Sequence, residues 1–264
     1  MNYGNISKNI RSKILRMAFV AQAGHIASSL SIADILAVLY FGILKIDPKE
    51  YLNENRDRFI LSKGHSVMAL YAVLAEKGFF SEEEIENYCK DASKMPGHST
   101  RNSIPGVEVS TGSLGHGLPI TCGISLNGKL DSKDYKVFVL MGDGEMQEGT
   151  TWEASLFASN HKLDNLTLII DYNKLQLFGR TNDVLNLEPL RPKLESLGWS
   201  VREIDGHNHL EIETALLKVP FEKQKPSCII AHTIKGKGAS FMENRIEWHD
   251  KKLSKEDYQK ALEE

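Results

Sequence analysis

No stretch of this 264-residue chain is apolar for the roughly 20 residues that cross a bilayer. The first 23 residues interleave Lys8, Arg11, Lys13 and Arg16 with apolar positions, so they hold no signal-peptide core. Cysteine is scarce. Cys89, Cys122 and Cys228, an odd set without metal-like spacing, read as buried thiols of a reducing compartment. Charge of one sign is also lacking: 32 Lys and Arg against 35 Asp and Glu leave a net charge of −3, too little to favour nucleic acid or an anionic membrane. Low-complexity segments, internal repeats and Pro/Gly/Ser linkers are absent, so the expectation is one domain over residues 1–264. That domain is expected in the cytoplasm, with no membrane or nucleic-acid partner.

What is present is a set of short apolar runs that end in glycine, charge and amide. Val137–Met141 and Leu166–Ile170 are β-branched-rich and bounded by polar residues, as strands buried in a parallel sheet are. Gln147 to His161 between them has helical composition, with Trp152, Leu156 and Ser159 along one side, so the segment reads as a right-handed βαβ unit. Gly142-Asp143-Gly144 follows the first run and Asn173 the second. Ligands of open α/β sheets bind at the carboxyl ends of strands, so Asp143 and Asn173 are expected to meet at one sheet edge. The glycines let backbone approach a bulky anion, and the next helix offers free N–H groups to a phosphate. A carboxylate, an amide oxygen and a backbone carbonyl form an oxygen-only set that Mg²⁺ accepts, with phosphate oxygens and water completing its shell. The bland alternative is two ordinary turn residues ending two strands.

The rest of the chain repeats this arrangement. An amphipathic helix over Asn5–Gln22 stops at Ala23-Gly24, and a small polar loop from Gly24 to Ser29 leads into a mostly buried helix between Ser31 and Ile43. His25 in that loop is either a packed surface residue or a ligand contact. Arg58 to His65 is a strand entering a turn, which places Lys63 and His65 at a second strand-to-helix junction before a helix over Val67–Lys77. Ser81 to Glu84 reads as a capping box for a small helix ending near Lys90. The loop from Asp91 to Val109, which contains Met95-Pro-Gly-His98, has the length of functional or disordered segments. Ser110 to Gly117 is rich in small residues, which serve either a plain turn or close approach to a flat ligand, ahead of an apolar helix over Leu118–Leu126. Leu190–Leu197 and Ile212–Val219 read as helices, Trp199–Ile204 and Ser227–Ile234 as strands, and Lys235-Gly-Lys-Gly238 follows the last strand. Ser254 to Asp257 caps a charged C-terminal helix. Together these elements predict an α/β fold, an open, mostly parallel sheet with helices on both faces.

Gly142-Asp143-Gly144, then about thirty residues, then Asn173 after an apolar strand resembles the metal motif of thiamine diphosphate (ThDP) enzymes. Gly24-His25, Ser62-Lys-Gly-His65, Pro96-Gly-His98, Thr111-Gly-Ser-Leu-Gly115, Lys235-Gly-Lys-Gly238 and Trp248-His249 extend the likeness in order. Along nearly its whole length the chain resembles the amino-terminal, diphosphate-binding third of transketolase. The resemblance implies ThDP and Mg²⁺ as cofactors, with Ca²⁺ or Mn²⁺ able to substitute. It implies Asp143, Asn173 and the Leu175 carbonyl as metal ligands. Gly144 and His65 would touch the diphosphate, with Ser28 and Lys235 close by, and Gly112, Ser113 and Leu114 would meet the aminopyrimidine ring. His25, His98 and His249 would line the substrate channel, His249 also counting among the cofactor contacts. With His65 they would move protons or stabilise a developing alkoxide near neutral pH. Three departures, Ile26 for Pro, His116 for Gln and Asp250 for Gly, spare the metal ligands but fall near the channel and bear on the substrate.

Transketolases continue into a pyrimidine-binding domain, which carries a catalytic glutamate, and a C-terminal domain. The resemblance therefore implies half a site here, completed by a C-terminal subunit that brings the pyrimidine domain and that glutamate. An α2β2 heterotetramer and an exposed apolar face for the partner follow. The implied reaction is transfer of a two-carbon ketol unit from a ketose phosphate to an aldose phosphate, as in the pentose phosphate pathway, with sulfonated or branched sugars as the alternative substrates. One rival is half of another ThDP enzyme, such as a 2-oxo acid dehydrogenase α chain or a deoxyxylulose phosphate synthase. The histidine set speaks against it, because pyruvate-type substrates need fewer hydroxyl partners. The other rival is a non-catalytic module of the same fold, against which the intact Asp143 and Asn173 count.

Overall fold

A computed structural model describes all residues from Met1 to Glu264. Its strands are β1 (Arg58–Leu61), β2 (Val137–Gly142), β3 (Leu166–Tyr172), β4 (Ser200–Asp205) and β5 (Ser227–His232). They form one parallel sheet in the order β1-β2-β3-β5-β4. Its helices are α1 (Tyr3–Ala21), α2 (Ile26–Leu30), α3 (Ala33–Val38), α4 (Val67–Lys77), α5 (Gly117–Leu130), α6 (Gly149–Asn160), α7 (Thr181–Val184), α8 (Leu190–Ser196), α9 (His209–Leu217) and α10 (Lys255–Glu263). The β2–β3 register pairs Val137 with Leu166 and Gly142 with Asp171, so both strands end at one level and their following turns are neighbours.

Successive strand residues point to opposite faces, and here each face has its own core. Phe138, Leu140, Ile169 and Ile229 pack with α1, α3 and α4, whereas Val139, Met141, Leu168 and Ile170 pack with Leu118 of α5 and Ala154 and Ala158 of α6. Burial on both faces explains why the runs are continuously apolar instead of alternating. The first core holds 48 buried residues and the second 22, so the α1–α4 side is the thicker wall behind the strand tips.

Five local expectations need correction, the first that of three buried thiols: Cys122 and Cys228 are buried, but Cys89 is exposed. Gly24 to Ser29 is not all loop, because α2 begins at Ile26. Ile26 and Ala27 are buried, and the Ser28 and Ser29 hydroxyls each donate to the His25 carbonyl at 3.1 Å, which closes the first turn. The helix expected from Ser31 to Ile43 is broken into α3 and a π-type turn over Leu39–Ile43. Ser81 bonds the Glu83 carboxylate instead of capping backbone, and the segment after it is a 3-10 helix over Glu82–Asn87. On α6 the buried side is Thr151, Ala154, Ser155 and Ala158, and Leu156 is exposed. Small side chains there let the helix lie close to α5, which apolar size alone does not signal. The capping box at Ser254 is present, its hydroxyl accepting the Asp257 N–H.

One buried polar cluster joins distant elements. Asp34 of α3 binds the Arg11 guanidinium through both oxygens and also meets His207 Nδ1 at 2.8 Å and His209 Nε2 at 2.9 Å. The Ile234 N–H donates to His207 Nε2 at 2.8 Å, so Nδ1 carries the proton and donates to Asp34. Burial pushes the Asp34 carboxyl up, but the His207 bond and the Arg11 charge outweigh it and hold the group well below the usual carboxylate range. A depressed folded-state pKa contributes stability that is present above the unfolded value of about 4 and lost as pH falls through the folded one. Asp34→Asn should cost roughly 3 kcal/mol at pH 7, and less towards pH 3, in urea unfolding over that range. An equal loss at both ends would break this assignment.

Candidate active site

The tips of β2 and β3 converge as their register requires. Asp143, 2% exposed, accepts the Gly144 N–H on Oδ1 at 2.8 Å. Its Oδ2 accepts the Lys174 N–H at 2.7 Å and the Thr181 hydroxyl at 3.0 Å. These partners are neutral donors. Burial, with the Asp171 charge behind it, pushes the Asp143 pKa up to about 6. Asn173 donates Nδ2–H to Asp171 Oδ2 at 2.9 Å, and its Oδ1 accepts the Leu175 N–H at 3.0 Å. The Leu175 carbonyl accepts Lys235 Nζ at 3.1 Å. Asp143, Asn173 and Leu175 line one cavity of about 290 Å³, with Ser28, Lys63, His65, Leu114, Gly144, Lys235 and His249. A much larger hollow of about 1050 Å³ lies elsewhere, an open polar trough beside Arg101–Glu108 that contains none of these groups. The smaller cavity is therefore the chemical one.

Beneath it lies a network of which the sequence motifs mark Lys63 but not its partner Asp171. Lys63 Nζ, at the end of β1, donates to Asp171 Oδ2 at 2.6 Å and to the Ser28 carbonyl at 2.7 Å. Ser31 Oγ donates to the same carboxylate oxygen at 2.8 Å, and Thr233 bonds the other. Burial raises the Asp171 pKa, but Lys63 more than offsets that and leaves it low. The available signal was an acid and a lysine at the ends of otherwise apolar runs, LTLIIDY and RFILSK. Lys235, 1% exposed, is lowered to about 8 by burial and by Lys63. Its Nζ donates to His249 Nδ1 at 2.7 Å. An ammonium can only donate, so His249 accepts there and carries its proton on Nε2.

The four predicted histidines gather above this floor. His25 stands 5.0 Å from His65, 5.3 Å from His249 and 6.5 Å from His98, between ring centroids, and His65 lies 5.8 Å from His249. The His25 N–H donates to the His249 carbonyl at 3.0 Å, which joins the two channel segments. His25 itself is held at φ 60, in the left-handed region that non-glycine residues rarely occupy, and its Nδ1 is buried without a partner. Gly112, at φ +138, has no Cβ where one would stand 2.7 Å from the His98 ring. Gly64 likewise lets the turn after β1 touch the Thr111 carbonyl, 2.4 Å from where a Cβ would sit. Burial lowers the His25, His65 and His249 pKa values, and the nearby lysines add to it for His65 and His249, bringing the last to about 3. All three are therefore neutral at pH 7, and Asp250 draws His25 partly back.

Not every predicted residue reaches the cavity. Gly112, Ser113, His25 and His98 are outside its lining, and Ser113 is exposed. Of the three departures, Ile26 is fully buried, whereas His116 and Asp250 are exposed; His116 Nδ1 lies 3.0 Å from the Leu114 carbonyl. The oxygen set, with a carboxylate that no cation neutralises, fits a divalent ion. Lys235, His65 and the unpartnered His25 nitrogen fit an anionic, hydroxyl-bearing ligand beside it. No three His, Cys, Asp or Glu side chains converge as metal ligands, so an ion here would take its remaining ligands from phosphate oxygens or water.

Comparison with known proteins accords with this geometry. The sequence profile described as "Transketolase, thiamine diphosphate binding domain" matches residues 5–264. The chain is 41% identical to one of the subunits of apulose-4-phosphate transketolase from Phocaeicola vulgatus, over 98% of this chain and 92% of the relative. It is 42% identical to the 6-deoxy-6-sulfo-D-fructose transketolase subunit SqwG of Clostridium sp., over 91% and 88%. Among solved structures, transketolase from Leishmania mexicana superposes with a TM-score of 0.93 at 27% identity, over 99% of this chain; the chain spans 41% of that protein. The open parallel α/β sheet and the likeness read from the motifs both hold.

Asp143→Asn should weaken Mg²⁺-dependent binding of thiamine diphosphate by more than about 100-fold, two powers of ten in the binding constant or roughly 2.7 kcal/mol. Relief of a buried charge offsets the lost acceptor, so Tm should stay within about 5 °C. Calorimetric titration and a thermal scan read both values; unchanged affinity would move the metal site elsewhere.

Proposed function

This chain belongs to the transketolase family, and we propose that it is the diphosphate-binding subunit of a two-chain transketolase that transfers a two-carbon ketol unit between sugars. The observation that carries the reading is the joining of three hard oxygens, Asp143, Asn173 and the Leu175 carbonyl, with Lys235 and four histidines at one sheet edge. Thiamine diphosphate, when bound, supplies the nucleophilic carbon and the electron sink needed to break a bond beside a ketose carbonyl. The chain holds and orients. The three oxygens would bind Mg²⁺, which their chemistry suits, and Lys235, His65, Ser28 and the Gly144 backbone would meet the diphosphate. Gly112, Ser113 and Leu114 would present backbone to the ring. His249 offers its Nε2–H to a sugar oxygen, because Lys235 holds its other nitrogen. His25, whose pKa burial lowers, can accept a proton from a sugar hydroxyl and return it, and His98, 6.5 Å away between ring centroids, would hydrogen-bond the sugar beside it.

Two features support a second polypeptide. Three relatives of nearly this length are named as subunits. Leu177 and Phe178, which border the cofactor cavity, are 49% and 83% exposed, and Val184 and Leu185 nearby are exposed too. An apolar patch at the mouth of a site marks a contact surface, and a chain carrying the pyrimidine domain would cover it in an α2β2 assembly. Of the two substrate readings, the branched or sulfonated sugar has the support of the relatives' names. The Asp250 charge acts on His25 at a position where the resemblance expects glycine.

With its partner chain present, and glyceraldehyde 3-phosphate as acceptor, the enzyme should turn over apulose 4-phosphate or 6-deoxy-6-sulfofructose with a kcat/KM at least about tenfold above that for xylulose 5-phosphate, about 1.4 kcal/mol of discrimination. Preference for xylulose 5-phosphate would reverse the substrate assignment, and full activity of this chain alone would end the two-chain reading. Phe178→Glu should weaken assembly at least about tenfold in sedimentation, as loss of an apolar anchor does, and leave the chain's own Tm unchanged.

A further inference from the structure

We propose that Glu145 is a positioning residue that sets the distance between the Gly112–Gly115 backbone and the Gly142–Gly144 turn, and so fixes how the ring end and the diphosphate end of the cofactor are held relative to each other. The inference rests on the cofactor reading above and assigns a role to a residue of the cavity lining that the family resemblance left without one. Glu145 lies in the 3-10 turn Gly144–Gln147 and is 2% exposed. Its Oε1 accepts the Ser62 hydroxyl at 2.5 Å and the Gly115 N–H at 3.0 Å, and its Oε2 accepts the Gly142 N–H at 3.3 Å. Ser62 ends β1, Gly115 precedes α5 and Gly142 ends β2. A single carboxylate thus bonds three turns that belong to separate parts of the chain.

No cation is bonded to it. Lys63, the charge that acts on it, gives its hydrogen bonds to Asp171 and Ser28. Burial accordingly pushes the Glu145 pKa up. The arrangement needs an acceptor on both oxygens, because all three partners are donors. Glutamine supplies one acceptor and would turn its NH₂ towards an N–H or O–H.

Amide hydrogen exchange on the ligand-free full chain and calorimetry with two ligands, Mg²⁺–ThDP and Mg²⁺–inorganic diphosphate, test the idea. Glu145→Gln should speed exchange at Gly115 and Gly142 at least about tenfold, weaken Mg²⁺–ThDP at least about tenfold, and weaken Mg²⁺–diphosphate less than about threefold, since a spacer matters only to a ligand that reaches both turns. Ser62→Ala removes one donor without burying a new polar group, and should shift the same ratio in the same direction by about threefold. Equal weakening of both ligands, or a lower Tm with exchange and ratio unchanged, would reduce Glu145 to ordinary packing; so would wild-type values in Ser62→Ala. Wild-type protein without Mg²⁺-dependent affinity for either ligand would remove the cofactor reading instead, and the exchange measurement, which uses no ligand, would still decide the role of Glu145.

Discussion

The ion pair between Lys63 and Asp171 holds the strand tips in their relation to one another. Its two side chains are 2% and 0% exposed and belong to the turn after β1 and to β3, with β2 between them. Ser31, Asn173 and Thr233 add their own hydrogen bonds to the same carboxylate. Taking away one partner of such a pair leaves an unpaired buried charge, at a cost of about 3–5 kcal/mol. The pair also has a chemical result. Because Asp171 engages the Asn173 NH₂, the amide oxygen is the atom left for the site, and its direction is fixed before any ligand arrives.

Above that pair the electrostatics favour a ligand over the empty protein. Lys235 is pulled down to about 8, His249 to about 3, and Asp143 is pushed up to about 6, each against its own charged form. A doubly charged cation meeting Asp143, and an anion meeting Lys235, would relieve both strains together. The strained His25 backbone and its unpartnered Nδ1 are of the same kind. Local discord is concentrated where ligands would bind, while the two cores are conventionally packed.

Much of this was legible in the residues. The strands were readable because burial on both faces demands unbroken apolar runs, and the tip positions of Asp143, Asn173 and Lys235 followed from where those runs ended. The histidine cluster was not readable from periodicity. His25, His65, His98 and His249 sit on four unrelated turns, and only the family resemblance grouped them. Lys63 was placed at its junction but without a partner, and Asp171 and Glu145 were missed: only the folded chain reveals that all three are enclosed, Lys63 bonded to Asp171 and Glu145 to the neighbouring Ser62. The packed side of α6 was legible only in part: Trp152 does lie against the second core, but Leu156 outweighs Ala154 in any apolar count, whereas close helix packing favours the smaller residue.

The short edge strand β1 has a consequence for biosynthesis. Its only sheet neighbour, β2, begins about 75 residues after Leu61. At about 5–20 residues per second, that interval lasts on the order of 4–15 seconds. Phe59 and Leu61 can settle against α1, α3 and α4 meanwhile, but Ile60 faces a core whose members have yet to be made. A nascent chain at this stage has α1, α3 and α4 made and a row of backbone donors and acceptors still open. Ribosome speed through α5 therefore sets how long that edge is available to other newly made polypeptides.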